Sequence, residues 1–588
     1  MGLDEDSAQI VERVSQFESD HSKQLSNFSK NNKFYRAIPT KQRQENQSNT
    51  FYPEMNIEVE AIATAVHEMI FSDSSGAKFF QFTGRGGMDS KIRAMVSQAA
   101  IEKQMTLNKM ESKSLGFLRK LCLQGTMPVN VPWRVEYKSY HDGINRASKL
   151  HYDSWDFEPF DIVNFGFDDS TDDIERGEFA YQILNVKPHG AAKMRRLGIW
   201  DGAIVDSAIG GGFQRNVYDM QQRMDAGYQA RTGTRGLTAI DYMGTIPSRG
   251  DDDVYWAVVD RGTGKFLRQP QLNPYFHAEK KWLVGKWITL PGEFYGIGIG
   301  DLNYRTQSEL NDRRNFINDL LYASLYNMWL KRSDSGLMLP GNKMTWRPHQ
   351  VLEADGIGEE FLRALRPDLG GLSSAINLEN IDIERMRRTS GATSSLQAVA
   401  TGVTATESQS IQSEATRRVK AMVRSQIASF YRDFVTRAHQ LNLQFLDKPL
   451  LAKLTNEDGN EVIGDVTRED LILQPDINVK LTLDLDFRPH KRRELIEWLQ
   501  VLGQLNQSGL LTQRHIIPDA IIDELAQTYN MDPRKFYSKE GMMELETQRA
   551  MGNTQTMQNA QQEIISESPA AQQFLQSPQA QMMAQGGI

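Results

Sequence analysis

"PGEFYGIGIGDLNYRTQSELNDRRNFINDLLYASLYNMWLKR", Pro291 to Arg332, sets the architecture of this chain. A glycine-rich turn gives way to roughly thirty residues with neither Pro nor Gly, enough for a helix of roughly 45 Å at 1.5 Å per residue. Leu310, Ile317, Leu321, Ser324 and Met328 fall on one stripe, while Asn311, Asn315, Asn318 and Asn327 keep much of the other surface polar. The opening "GIGIGD" is no dinucleotide fingerprint. GxGxxG would need a glycine at Asp301 or Asn303, and no acidic ribose ligand follows a βαβ unit. It reads as a turn leading into a helix.

Upstream, the chain opens with helices. In "MNIEVEAIATAVHEMIF" the residues Ile57, Ala61, Ile62, Ala65, Met69 and Ile70 recur at helical spacing. A second helix is expected from Asp89 to Cys122, followed by strand-like "MPVNVPWRVEYKSY". From there to Trp287 the texture changes to short aromatic-rich strands and turns. "FEPFDIVNFGFDDS" is a strand region, "DVYWAVVDRGTGKFLRQP" a hairpin about Gly262 and Gly264, and Val217 to Met224 a helix inserted between strands.

Downstream, a Pro- and Gly-rich insert (Leu337 to Ser374) precedes a helical stretch from about Ile376. From Thr389 through Thr406 there is no charged residue, in a chain that is 24% charged. Thr404 and Glu407 fit a capping box. It opens a helix with Ile411, Ala415, Val419, Met422, Ile427, Phe430, Phe434, Ala438 and Leu441 along one face. "LTNEDGNEVIG" reads as a hairpin. "DINVKLTLDLDF" alternates through Ile477, Val479, Leu481, Leu483, Leu485 and Phe487. Helices resume at "KRRELIEWLQVLGQL" and fade near Arg549. The final segment, without Lys or Arg and dominated by Gln, Ala, Ser and Met, is expected to be a loosely ordered tail.

Composition bounds the function. The 588 residues suit two to four packed units. A net charge of −8 argues against a dedicated nucleic-acid binder, which needs a basic face, though not against a protein that handles nucleic acid without gripping it. The lone Cys122, among apolar neighbours, is expected to be a buried small hydrophobe, and it allows no disulfide framework. A reducing compartment follows. The acidic N-terminus lacks a signal-peptide stretch, Asp6 spoils a myristoylation motif at Gly2, and no apolar run approaches the ~20 residues needed to span a bilayer. A cytosolic product with no membrane association is expected. No GxxxxGK[ST], HExxH, CxxC or GxSxG occurs. The carboxylates Asp251, Asp252 and Asp253, with Asp484 and Asp486, are the only metal candidates, and solvated faces explain them better. No cofactor and no catalytic residue is assigned.

The order of parts resembles the portal (head-to-tail connector) proteins of tailed bacteriophages, particularly short-tailed ones. "PGEFYGIGIGDLNYRTQSELNDRRNFINDLLYASL" is similar to that family's Gly-flanked lead-in to a stem helix. "TGVTATESQSIQSEATRRVKAMV" looks like its loop and following helix, and "FEPFDIVNFGFDDSTDDIERGEFAYQILNVKP" like the strand region of its wing. Each motif alone is loose; their order and spacing carry the match. The resemblance implies a mixed α+β, portal-like fold with an α/β wing, long stem helices, a small clip insert and a helical C-terminal crown. The boundaries it implies are wing 1–300, first stem helix 301–332, clip 333–374, second stem helix 375–394, tunnel loop 395–405, wing return 406–488, crown 489–550 and tail 551–588.

By the same resemblance the protein would form a ring, a dodecamer, at one capsid vertex. It would be the channel for genome packaging and ejection and the attachment point for the tail. Its location would be the virion, with the host cytoplasm during assembly. Partners would be a terminase large subunit carrying the ATPase, tail adaptors, scaffolding and major capsid proteins, and double-stranded DNA passing non-specifically. Lys343, Trp346 and Arg347 of the clip would face terminase and adaptors. Ser394, Ser395, Gln397, Thr401, Thr404, Arg387 and Arg388 would line the channel. A neutral, hydroxyl-rich loop suits that position, because a ring of cations would hold phosphate and a ring of acids would repel it. Arg385, Arg387, Arg388, Arg313 and Arg314 could instead serve ion pairs with Glu379, Glu384 and a neighbouring subunit. The alternatives are another virion structural protein, such as a tail or adaptor component, or a metal-dependent enzyme using Asp251 to Asp253.

Overall fold

In the computed structural model the described residues are 3–39, 47–71, 80–83, 88–141, 146–228, 235–325, 328–332, 351–354, 362–365, 369–391, 419, 421–455, 461–473 and 476–479. The chain divides into two units. One is Met1–Ala452 with Asp465–Leu483; the other is Lys453–Gly464 with Asp484–Ile588. Nearly all described residues belong to the first, and it mixes helix and sheet, as expected.

Three helices lead: α1 (Leu3–Asp20), α2 (Ser22–Tyr35) and α3 (Glu54–Phe71). On α3 the buried apolar residues are Met55, Val59, Ile62, Ala63, Val66, Met69 and Ile70, whereas Ile57 is exposed. Apolar residues surround this helix, so several stripes fit its sequence and only packing selects one. After strand β1 (Phe80–Thr83), the single helix expected from Asp89 to Cys122 is two, α4 (Met88–Leu107) and α5 (Met110–Gln124). Between them Lys109 takes the left-handed conformation at φ 52°. Asn108 there donates to the Trp155 carbonyl at 2.5 Å, a tertiary bond that opposes the cost of about 1 kcal/mol for that backbone.

Strands β2 (Thr126–Asn130), β3 (Trp133–His141), β4 (Arg146–Trp155), β5 (Glu158–Pro159), β6 (Phe165–Phe167) and β7 (Phe179–Val186) follow. Then come helices α6 (Pro188–Arg196), α7 (Gly202–Gly210) and α8 (Val217–Asp225), the last at the position expected. Strands β8 (Leu237–Gly244), β9 (Tyr255–Asp260) and β10 (Phe266–Leu272) complete an antiparallel sheet in the order β10-β9-β8-β7-β6. The hairpin expected about Gly262 and Gly264 joins β9 to β10. The central strand, β8, is buried throughout. Its alternation splits it between two cores. Ile240 and Tyr242 meet Ile10, Val14 and Phe17 of α1, while Leu237 and Ala239 meet Ala191 of α6 and Val205 of α7.

Strand β11 (Trp282–Lys286) pairs with β2 and leads to α9 (Ile299–Leu325). The first stem helix was expected to reach residue 332. It stops at Leu325, and Met328–Arg332 is strand β12, flanked by β13 (Val351–Ala354) and β14 (Leu362–Leu365). Backbone pairing to residues far along the chain overrides the local helical pattern. Helix α10 (Leu372–Ser390) begins inside the span assigned to the clip and ends before residue 394, at Gly391 with φ +83°. A π turn over Val423–Ile427 precedes α11 (Ala428–Phe445). The expected stripe is buried at Val419, Ile427, Phe430, Phe434, Ala438 and Leu441; Ile411 and Ala415 lie outside the described residues. Phe434 stands edge-on to Trp155 and Phe157, each at 5.2 Å, and Phe430 stacks on Phe117 at 4.7 Å. These rings anchor the largest core, between α3, α5 and α11. Strands β15 (Leu450–Thr455) and β16 (Glu461–Val466) pair as the sequence suggested, and β17 (Asp476–Val479) pairs with β1. The crown and tail expected over 489–588 lie outside the described residues.

Candidate functional site

The long helix α9 begins where backbones touch. A side chain at Gly298 would put its Cβ 2.4 Å from the Leu123 carbonyl oxygen, and one at Gly296 would sit 2.4 Å from that of Gly125. "GIGIG" therefore seats α9 directly on the end of α5. Asp301 fixes the start: its carboxylate accepts from the Gly298 amide at 3.2 Å and from the Asn31 side chain at 2.8 Å.

Along α9, Asn303, Gln307, Asn311, Asn315 and Asp319 recur every four residues. The last four meet the backbone of residues 48–52 and the first turn of α3. Asp319 Oδ1 accepts from the Ser48 amide at 2.5 Å, Asn315 Oδ1 from Thr50 at 2.7 Å, Asn311 Oδ1 from Tyr52 at 3.0 Å and Gln307 Oε1 from Met55 at 2.9 Å. Asn315 returns the bond, donating to the Thr50 carbonyl at 2.9 Å, and Gln307 donates to the Tyr52 carbonyl at 2.6 Å. The match is geometric. From Ser48 to Tyr52, four helical residues rise about 6 Å, close to the roughly 6.7 Å of two extended residues; the step to Met55 takes three residues because α3 has begun. The asparagines expected to keep α9 polar thus replace a strand partner.

The helices α9 and α10 run antiparallel through a polar seam. Arg313 pairs with Asp382, and Arg314 with Glu379 at 2.5 Å, both carboxylates being buried. Arg385 stands 3.6 Å from Asp382. Asn303 donates to Glu58 at 2.7 Å and to the Met386 carbonyl at 3.1 Å. Burial pushes the Glu58 carboxyl up to about 8, with the charge of Glu54 adding to the rise and the bond from Asn303 opposing it. Ile376, Leu378 and Ile381 of α10, and Leu321, Tyr322 and Leu325 of α9, remain exposed. The pair is thus polar at its seam and apolar outside. The apolar stripe expected on α9 is buried at Leu310 and Ile317 but exposed at Leu321.

Of the residues assigned to a channel, the two described ones differ. Arg387 Nε bonds Glu54 at 2.6 Å, and Glu54 has no exposure. Arg388 stays 80% exposed, 3.3 Å from Glu384. Both ion pairs lie within the chain, as do those of Arg313 and Arg314. Ser394, Ser395, Gln397, Thr401 and Thr404 lie outside the described residues, as do Lys343, Trp346 and Arg347. Cys122 is fully buried, which raises its thiol pKa.

Asp251 accepts from the Tyr255 hydroxyl at 2.7 Å, and Asp252 and Asp253 are exposed. Among the described residues no group of three or more His, Cys, Asp or Glu is placed to hold a metal ion; Asp484 and Asp486 lie outside them. Among the described residues no helix is long and apolar enough to cross a membrane. Compared with known proteins, the chain matches no protein-family model and no curated protein.

Proposed function

We propose that this protein is a portal: a ring-forming subunit that conducts double-stranded DNA at a capsid vertex and offers its small insert to a packaging motor and tail adaptors. The observation that carries this reading is the α9–α10 pair. A helix pair that turns Arg313, Arg314, Glu379 and Asp382 to its own seam and leaves Ile376, Leu378, Ile381, Leu321 and Tyr322 outside calls for lateral neighbours. Helix α10 also runs directly into the neutral segment, the part suited to touching a moving polyanion without holding it. On this reading Arg388 faces the channel, whereas Arg387 serves to neutralise Glu54.

The test is a substitution in the neutral segment. Gln397→Lys should leave assembly unchanged but slow DNA packaging or release in particles carrying it. The defect should ease as salt screens the added cations. Gln397→Glu should not produce that grip. If both variants match the parent in packaged length and ejection rate at low salt, the segment does not meet DNA.

A further inference from the structure

Strands β3 and β4 form an arm. Among the described strands they pair only with each other. A lone two-stranded ribbon is marginal in water. Its base is anchored by Trp155, fully buried, and by Trp133 against Phe445. Its outer part is less covered: Tyr137, whose hydroxyl accepts from Lys448 at 3.4 Å, and Tyr140 are 60% and 54% exposed. The register sets Lys138 directly opposite Lys149, a like-charge pairing that destabilises a free ribbon. Lys138 donates to His151 at 2.7 Å, and neither lysine has an ion pair among the described residues. From Tyr137 to Leu150 the sequence sets Lys138, Arg146 and Lys149 against the single acid Asp142. The arm is built as though a counter-charge were supplied from elsewhere.

The same chain carries a surface of the opposite sign. Between β11, α11 and the loops before β7 and α9 lies a cavity of about 820 Å³, in the range that encloses several side chains. Its walls hold Asp172, Asp173, Glu175, Glu279, Glu293 and Asp433 against Lys286 and Arg437. Both cations are already engaged. Arg437, 3% exposed, bonds Glu279 and the Lys280 carbonyl, and Lys286 donates to the Asp172 carbonyl at 2.5 Å while lying over the Phe294 ring. Burial raises the carboxyl pKa of Glu175 and Asp433, a rise that Arg437, 3.6 Å from Glu175, opposes at both.

We propose that the β3–β4 arm of one copy lies in the acidic cavity of a neighbouring copy, with Lys138 and Lys149 meeting Asp172, Asp173 and Glu293. Arm and cavity are different surfaces, so the contact is head-to-tail and propagates around a ring. The inference rests on the ring reading for self-association alone, and not on DNA conduction.

The experiment mixes equal amounts of ¹⁴N- and ¹⁵N-labelled full-length protein before assembly, then joins adjacent amines and carboxylates with a carbodiimide. Mass spectrometry should find peptides linking Lys138 or Lys149 to Asp172, Asp173 or Glu293, with mixed-label pairs among them. Lys138→Glu with Lys149→Glu should lower the assembled fraction on the order of tenfold at low salt. Adding Asp172→Lys and Asp173→Lys to that chain should restore it. Assemblies without these links, or with same-label links only, would overturn the contact while sparing the ring. A parent protein that stays monomeric would overturn both. Unchanged assembly with lost retention of duplex DNA would make the arm a nucleic-acid contact instead.

Discussion

Glu54 and Glu58 stand one turn apart on α3, both without exposure, and the fold accommodates them in two ways. Glu54 receives the Arg387 guanidinium; Glu58 receives an amide from Asn303 and a carboxyl pKa raised to about 8. Removing Arg387 strands a buried carboxylate, so Arg387→Ala should cost about 3–5 kcal/mol. Arg388→Ala, at an exposed pair, should stay within about 0.5 kcal/mol. Thermal melts of the two variants check this, and equal melting temperatures would contradict it. Glu58 adds a pH dependence. Its folded pKa lies above the ordinary value of 4.5, so its contribution is complete below pH 4.5 and is lost as pH rises through about 8. The melting temperature of the parent should therefore fall between pH 5 and 8 relative to that of Glu58→Gln, which cannot ionise. Parallel curves would show that Glu58 does not titrate in that window. The sequence displays both glutamates and both arginines, but not which arginine turns inward. That choice depends on α3 and α10 meeting, residues separated by more than three hundred positions.

The amide ladder of α9 is a property of the element. Asn315→Leu removes the acceptor for the Thr50 amide and the donor to its carbonyl, and should cost about 1–3 kcal/mol. Amide exchange should quicken at Ser48, Thr50 and Tyr52. Asn318→Leu, whose bonds to Ser48 and Thr50 are 3.3 and 3.4 Å, is the control and should change little. Equal protection at Thr50 in both variants would mean that the ladder does not hold the segment. Asn311 and Asn315 were legible in sequence as polar positions, and so was an uninterrupted helix; the four-residue spacing from Asn303 to Asp319 went unread. Its partner was not legible, because residues 48–55 carry no pattern that names an amide ladder. The stop at Leu325 was hidden for a similar reason: "YASLYNMWLKR" contains no breaker, and β12 exists only through Val351–Ala354 and Leu362–Leu365. The break at Asn108 likewise depends on the Trp155 carbonyl. Patterns that need one element survived translation into structure, as at α11, β9–β10 and β15–β16.

For the whole molecule, the proposed conducting role requires many copies around one axis, with the apolar outer faces of α9 and α10 covered by neighbours. The channel role proposed for Gln397 and the contact proposed for the basic arm both need that setting. A monomer would leave Ile376, Leu378, Ile381 and Tyr322 in water and the neutral segment without a polyanion to meet. The most direct measurement is the native mass of the full-length protein, taken with electron-microscopy averages viewed down the particle axis. Twelve copies of the 66.8 kDa chain, about 800 kDa, forming a ring with an open centre is the expected result. A stable monomer of 66.8 kDa, or a closed particle without an axial opening, would contradict it.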